Sequence, residues 1–376
     1  MALHLYALLV AVSTAILIFA GGLVTSTGSG LSVPDWPTTY GWFMLTFPLD
    51  KMVGGIFYEH THRLIASVVG LLIVGLAAWL WRSEPRPWVR RLGYVALAAV
   101  ITQGILGGIT VLWFLPDAIS IAHAGLAQLV FCLTISIALF TSPGWNRSYS
   151  RSGAGIFASE RKPLETDRTL RRVAIATTGL TYAQIIVGAT MRHTGAGLAI
   201  PDFPWAFGHL VPPIWSAAIA IHYAHRVGAV LVTALALATV GHVLYHHRGR
   251  IELRRPSLLL LTLLTVQITL GALTVLTGKH YVINSLHVVT GAMVLATSLV
   301  LTLRACRPRF AGRDMIAGSA TPDPAYAPTV RRAGLAPFGP STGSGSSRAR
   351  SRDGKLRASR AGRGTEQTRR PDGAHA

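Results

Sequence analysis

Eight apolar stretches of about 20 residues each constrain this chain more than any other feature of its sequence. A helix of about 20 apolar residues crosses the hydrocarbon of a bilayer and satisfies its own backbone hydrogen bonds. The pattern therefore predicts an all-α integral membrane protein with eight transmembrane helices. A soluble domain is excluded because only 13% of the residues are charged, roughly half the usual share. The helices are predicted at residues 5–25, 57–81, 92–113, 118–141, 170–192, 215–245, 256–277 and 282–304.

The distribution of positive charge predicts how the helices are oriented. Of the 35 Lys and Arg residues, 15 lie from Arg304 onward and 15 lie in the second, fourth and sixth loops. Cytoplasmic loops carry the excess of Lys and Arg, so both termini and the even loops are predicted to be cytoplasmic, with the protein in the cell inner (cytoplasmic) membrane. The same distribution excludes a nucleic-acid groove as the reason for the net charge of +20. The first apolar run has no basic residue before it and is interpreted as a retained helix rather than a signal peptide.

The chain contains an internal repeat with an offset of 163 to 167 residues. The matching segments are Gly21 to Pro37 with Gly188 to Pro204, Glu59-x-x-His62-Arg63 with His222-x-x-His225-Arg226, and Gln103 to His123 with Gln267 to His287. Each unit has four spans, which predicts two pseudo-symmetric four-helix bundles inserted the same way up. The predicted domains are an N-terminal bundle (1–145), a cytoplasmic linker (146–168), a C-terminal bundle (169–305) and a disordered basic cytoplasmic tail (306–376).

Four histidines, one in each even-numbered helix, are candidate metal ligands. They are His62, His123, His225 and His287. All four fall in the outer half of the membrane under the predicted orientation. An imidazole in hydrocarbon needs a partner, and haem iron is the commonest partner for two facing ones. The sequence therefore predicts one haem held by the first pair and one by the second. Hydrogen-bonded core histidines are the simpler alternative, and a zinc or copper site lacks supporting thiolates or carboxylates beyond Glu59.

The two halves differ at one chemically important position, where Glu59 corresponds to His222. A carboxylate one helical turn from an iron ligand could accept a proton or stabilise positive charge on a substrate. The alternative is an ion pair, or a carboxylate placed at a helix N-terminus by the helix dipole. His222 is interpreted as a supporting group or a spare ligand.

Several neighbouring residues carry further expectations. Arg63 and Arg226 each follow a candidate ligand and are predicted either to bind haem propionates or to anchor the helix at the membrane interface. His60 is predicted to face water. Three glutamines, each followed four residues later by glycine, are predicted to join helices by close packing and hydrogen bonds; they are Gln103, Gln184 and Gln267. The Pro-Asp-Trp-Pro and Pro-Asp-Phe-Pro turns are interpreted as lids over the outer mouths of the bundles.

These motifs resemble those of the haem A synthase family, membrane enzymes that oxidise a methyl group of haem O to a formyl group. The resemblance covers about residues 5–305 and includes the stretch from Gly28 to Pro37 and Glu59-x-x-His62-Arg63. It implies that Glu59, His62 and His123 belong to the substrate site, and it implies a resident haem b at the two later histidines. Many relatives carry a cysteine pair in the first outer loop. This chain has cysteine only at 132 and 306, so a role for outer thiols is excluded.

The resulting expectation is a membrane oxidoreductase that makes haem A for cytochrome oxidase assembly, with haem O as substrate and haem b as cofactor. His62 and His123 hold or release the substrate iron, Glu59 assists oxidation of the methyl group, and the second haem relays electrons. Haem O synthase, oxidase assembly factors, membrane lipid and a second copy of the chain are the partners considered. The rival interpretations are a non-catalytic dihaem b-type electron carrier and a haem carrier.

Overall fold

The computed structural model describes residues 1–145 and 167–307, and this part of the chain is all-helical, without strands. Eight of its helices are long and apolar enough to cross a membrane, which confirms the predicted fold class. They are α1 (Ala2–Ser26), α2 (Gly54–Ser83), α3 (Pro87–Leu112), α4 (Asp117–Thr141), α5 (Arg168–His193), α6 (Ala217–His246), α7 (Ile251–Leu276) and α8 (Tyr281–Ala305). Nearly all of the predicted linker and tail lies outside the described residues.

The predicted helix ends are wrong by up to five residues, and α7 shows why. Pro256 was expected to begin this helix, whereas it lies in the second turn of a helix that begins at Ile251. Proline has no N–H, so the carbonyl of Glu252 loses its partner within the helix. The guanidinium of Arg304 on α8 donates a hydrogen bond to that carbonyl instead. A contact from another helix therefore allows α7 to extend past its proline.

The helices of each half pack in the same cyclic order. In the first half α2 and α4 each pack against both α1 and α3, so α2 and α4 lie across the bundle from each other. In the second half α6 and α8 each pack against α5 and α7 in the same way. The candidate ligands therefore lie on helices that face each other diagonally in both halves. The pseudo-symmetry axis itself stays a prediction.

The two halves meet through α1 and α4 on one side and α5 and α8 on the other. An apolar cluster joins them, with Ile18 and Phe131 from the first half packed against Ala292 and Ala296. A polar contact lies at the outer end of the same interface, where Arg192 donates hydrogen bonds to the carbonyl of Gly22 and the hydroxyl of Ser26. The halves are thus fixed to each other by both apolar packing and a buried guanidinium.

Candidate haem sites

Each of the four candidate ligands packs its imidazole against a glycine of the neighbouring helix. The pairs are Gly21 with His62, Gly107 with His123, Gly188 with His225 and Gly271 with His287. A methyl group added at these glycines would lie 2.9 to 3.2 Å from Cε1 of the facing ring, closer than carbon atoms pack without repulsion. At Gly188 the ring or the helix would have to move, and at the other three positions the ring would have to shift by a few tenths of an ångström. We call these residues the glycine seats.

The second pair of histidines has the geometry of a two-imidazole metal site. The ring centroids of His225 and His287 are 6.4 Å apart, which leaves room for a metal ion with bonds of roughly 2 Å to a nitrogen of each ring. The carbonyl oxygen of Gln267 lies 3.2 Å from Nδ1 of His287. A proton held on Nδ1 by this carbonyl leaves a lone pair on Nε2, which here faces the side-chain amide nitrogen of Gln267 at 3.3 Å.

His225 is fixed by Gln184, which lies one helical turn before its glycine seat. The amide nitrogen of Gln184 is 2.6 Å from the carbonyl oxygen of His225 and 3.0 Å from its Nδ1. In the other two glutamine positions, Gln103 donates to the carbonyl of His123 and Gln267 contacts the ring of His287. These contacts confirm that the glutamines join helices through hydrogen bonds beside a glycine.

The first pair of histidines lacks this support at Nδ1. The Nδ1 atoms of His62 and His123 are both buried without a hydrogen-bond partner. The position equivalent to Gln184 is Leu17, which offers no polar group to His62. The imidazoles therefore lie at equivalent positions in the two halves. Those of the second half are fixed by hydrogen bonds at Nδ1, whereas those of the first half are not.

The exposure and hydrogen bonding of the imidazoles are compatible with metal ligands. Each of the four rings is partly exposed, and those of His62 and His123 have a buried Nδ1 without a partner. A buried unpartnered nitrogen is costly, and a metal bond or a polar group of a bound molecule would remove that cost. The donor set of two imidazoles per site is one that haem iron accepts.

We expect Gly188→Ala to deplete the haem of the second site. The new methyl group would lie 2.9 Å from Cε1 of His225, so the ring or the helix must move. Gly179→Ala is the matched control, because it lies on the same helix and its Cβ would meet no atom within 4 Å. Extracted haem per protein measures the effect: we expect a loss of at least half for Gly188→Ala and none for Gly179→Ala. Equal haem content in the two variants would contradict a role for the seat.

Glu59 forms a buried ion pair and holds the first outer loop. Its side chain is only about 3% exposed, and Oε1 lies 2.6 Å from a guanidinium nitrogen of Arg63. The other carboxylate oxygen accepts the backbone N–H of Val33 at 2.8 Å. The ion pair that was the alternative interpretation is therefore present, and the position of the carboxylate beside the site of His62 is fixed.

His222 makes the equivalent contact in the second half. Its Nδ1 accepts the backbone N–H of Ile200 at 3.2 Å, and Ile200 corresponds to Val33 in the repeat. Both side chains thus tie an outer loop to the start of a helix. The difference between them is charge, because Glu59 balances Arg63 whereas neutral His222 leaves Arg226 without an equivalent carboxylate from the helix.

The arginines that follow the ligands bind loop carbonyls. Arg63 donates to the carbonyls of Val33, Asp35 and Thr38 as well as to Glu59. Arg226 donates to the carbonyls of Ile200, Asp202 and Trp205 in the same manner. Neither predicted role describes these contacts, which fix each outer loop over its bundle. Propionate binding by these residues stays a prediction.

An aspartate organises the turn in each of these loops. Asp35 accepts hydrogen bonds from the N–H groups of Tyr40 and Gly41 and from the hydroxyl of Thr38. Burial opposes its ionisation, but these hydrogen bonds outweigh burial and hold its pKa below the usual value. Asp202 accepts the N–H groups of Gly208 and Phe207, and hydrogen bonds from Gly208 first and then Phe207 lower its pKa. Both turns therefore carry a charged carboxylate at neutral pH.

In the first half, the turn at residues 34–37, which is interpreted as a lid, makes a direct contact with a helix. A Cβ at Gly108 would lie 2.6 Å from the indole of Trp36, so the Trp36 ring rests directly on the backbone of α3. Gly108 follows the glycine seat of His123. The turn at residues 34–37 therefore touches the helix that supports one of the candidate ligands.

The prediction for His60 is wrong. This residue is 1% exposed, and its Nδ1 lies 3.0 Å from the hydroxyl of Thr39. Its ring packs against Phe47 with centroids 4.9 Å apart. The outer loop folds down over the start of α2, so the face of the helix beside Glu59 and His62 is covered by the loop rather than by water.

Comparison with known proteins gives a consistent pattern. The sequence model of the family described as COX15-CtaA, cytochrome oxidase assembly protein, matches residues 4–299. A protein named Heme A synthase from Symbiobacterium thermophilum is 29% identical over 316 residues, 82% of this chain and 97% of the relative. A protein of the same name from Geobacillus kaustophilus is 26% identical over 81% of this chain and 93% of the relative. One from Shouchella clausii is 31% identical over 59% of this chain and 69% of the relative. The family match spans the eight helices up to the last turns of α8.

Proposed function

Because the chain belongs to the COX15-CtaA family of cytochrome oxidase assembly proteins, we propose that it is a membrane oxidoreductase that oxidises a peripheral methyl group of haem O to the formyl group of haem A. The observation that carries this proposal is the family match over residues 4–299. The buried imidazoles on their glycine seats support it, since they provide two places for a porphyrin. The product serves cytochrome oxidase assembly.

The first bundle is the proposed substrate site and the second the proposed haem b site. A substrate must enter and leave, whereas a resident cofactor must stay. Nδ1 of His225 accepts a hydrogen bond from the amide of Gln184 and Nδ1 of His287 donates one to the carbonyl of Gln267, so both rings have a fixed orientation. The rings of His62 and His123 have no hydrogen bond at Nδ1, which favours exchange of the bound molecule. In the second site His225 and His287 would hold haem b, which supplies one-electron transfer when bound.

Glu59 is the proposed acid–base or electrostatic group of the first site. It lies one helical turn before His62 on α2, and the carboxylate is kept in place by Arg63 and the N–H of Val33. A fixed negative charge at this position can accept a proton from the substrate or stabilise positive charge that develops on its carbon. The second half has no carboxylate at the equivalent position, which agrees with a non-catalytic role for that half.

The distribution of arginines among the loops supports one orientation of the protein in the membrane. We place it in the cell inner membrane with the histidine sites toward the outside and both termini in the cytoplasm, because the even loops hold the arginines. Haem O is apolar apart from its propionates and iron, so it can enter the first bundle from the bilayer, beneath the loop that carries Trp36.

Haem typing tests the proposed function. Cells that make this protein together with a haem O synthase are expected to accumulate haem A, whereas cells with the synthase alone accumulate haem O. Acid extraction followed by chromatography and mass spectrometry distinguishes the two by the conversion of one methyl to a formyl group. Haem bound to the purified protein without any haem A in the cells would favour a dihaem electron carrier or haem carrier instead.

A further inference from the structure

A cluster of three metal-binding side chains lies at the end of the second bundle opposite the haem sites. Asp167 immediately precedes α5, His242 lies in the penultimate turn of α6, and His247 follows its last residue. The Nε2 atoms of His242 and His247 are 2.7 and 2.9 Å from the same carboxylate oxygen, Oδ2 of Asp167. All three donor atoms lie within 4.8 Å of one another. In the part of the chain that the structure describes, this is the one such group of three.

Helix capping alone does not account for the cluster. Asp167 caps α5 through its other oxygen, Oδ1, which accepts the N–H of Leu170 at 2.8 Å. A cap requires no partner for Oδ2, yet two imidazoles converge on it. The cap instead fixes the direction of the carboxylate, as hydrogen bonds to metal-binding carboxylates commonly do.

Two arginines and a further histidine lie within three residues of His247 in the sequence. Both guanidiniums bind elsewhere: Arg248 donates to the carbonyl of Leu244, and Arg250 pairs with Glu252. The further imidazole, His246, packs against His242 in a tilted arrangement, with ring centroids 4.6 Å apart.

We propose that Asp167, His242 and His247 bind a divalent first-row transition-metal ion, with Zn²⁺ as the probe, at a site separate from both haems. Two imidazoles and one carboxylate are a ligand set that such ions accept, with remaining positions open to water. The bound ion would tie the start of α5 to the end of α6, and binding to the folded state alone stabilises it by mass action.

Zinc binding to the haem-loaded, tag-free protein tests the site. Haem-loaded material is needed because vacant haem histidines would also take up Zn²⁺. Equilibrium dialysis followed by elemental analysis is expected to find one saturable zinc per chain, and zinc is expected to raise the melting temperature. Absence of saturable zinc, or zinc without a change in melting temperature, would overturn the proposal.

Three variants localise the binding. Asp167→Asn keeps an oxygen for the N–H of Leu170 and removes the charge, while His247→Gln alters a residue outside the helices. Each is expected to weaken zinc binding on the order of tenfold or more, with the Soret band retained. His209→Gln, at an exposed position in an outer loop, is the matched control and should bind zinc normally.

The two site variants also separate the proposal from a folding defect. If Asp167→Asn failed to fold, His247→Gln would decide, because His247 caps α6 only through its backbone N–H, which glutamine keeps. Unchanged zinc affinity in His247→Gln, or equal weakening in His209→Gln, would show that the ion binds elsewhere and would refute the site.

Discussion

Glu59→Gln is expected to abolish formation of haem A while leaving the haem content of the protein intact. Glutamine retains an oxygen that can accept the N–H of Val33, so the loop contact at 2.8 Å survives. Arg63 keeps its three carbonyl partners. The negative charge beside the substrate site is lost, and loss of a group that transfers a proton or stabilises charge costs about 10² in rate or more.

Two further variants define the measurement. Glu59→His recreates the neutral residue that occupies the equivalent position in the second half, His222, and we expect it to be as inactive as Glu59→Gln. Glu59→Ala removes the loop contact as well and is expected to bind haem without producing the formyl group. Haem O and haem A are quantified in cells that also make haem O synthase. Normal haem A output from Glu59→Gln would eliminate the proposed role of the charge.

The second large effect is expected for His225→Ala, which should remove haem b from the protein. Alanine leaves His287 as the single imidazole of the second site, and a haem held from one side is lost more readily during purification. His62→Ala should retain haem b, because that residue belongs to the other bundle. The pyridine haemochrome spectrum of each purified variant gives the haem b content per chain.

A variant that is expected to lose only part of its haem b tests the same site. Gln184→Leu reproduces the residue found at the equivalent position of the first half, Leu17, and releases the hydrogen bond to Nδ1 of His225. We expect partial loss of haem b, between the wild type and His225→Ala. Full haem b in His225→Ala would remove this residue from the ligand set, and full haem b in Gln184→Leu would remove the argument that orientation distinguishes the two sites.

Hydrophobic length and the repeat were sufficient to predict the eight helices, because each span must be apolar and must satisfy its own backbone. The four histidines could be singled out for a related reason, since a polar side chain in hydrocarbon needs an explanation. The glycine seats were visible only in part. The four-residue spacing pairs Gly107, Gly188 and Gly271 with glutamines, but nothing in the sequence indicates that a histidine of the next helix rests on them.

The outer loops were the least predictable part. Arg63 and Arg226 bind backbone carbonyls whose positions depend on the folded loop, and a carbonyl has no sequence signature. The sequence predicts that His60 faces water because it lies one residue off the helix face shared by Glu59 and His62. Here the loop from Val33 to Phe47 covers it. Contacts between a side chain and a distant backbone group require the fold to be known first.

Arg192 affects the spacing between the two candidate haem sites. It lies one helical turn after the seat of His225, and its guanidinium holds the carbonyl of Gly22, the residue next to the seat of His62. One side chain thus links α5, which carries the glycine seat of His225, to α1, which carries the glycine seat of His62. Neither α1 nor α5 can slide along its axis without pulling on the other, so the spacing between the two candidate haem sites is held constant, and with it the distance that an electron would cross under the proposed function.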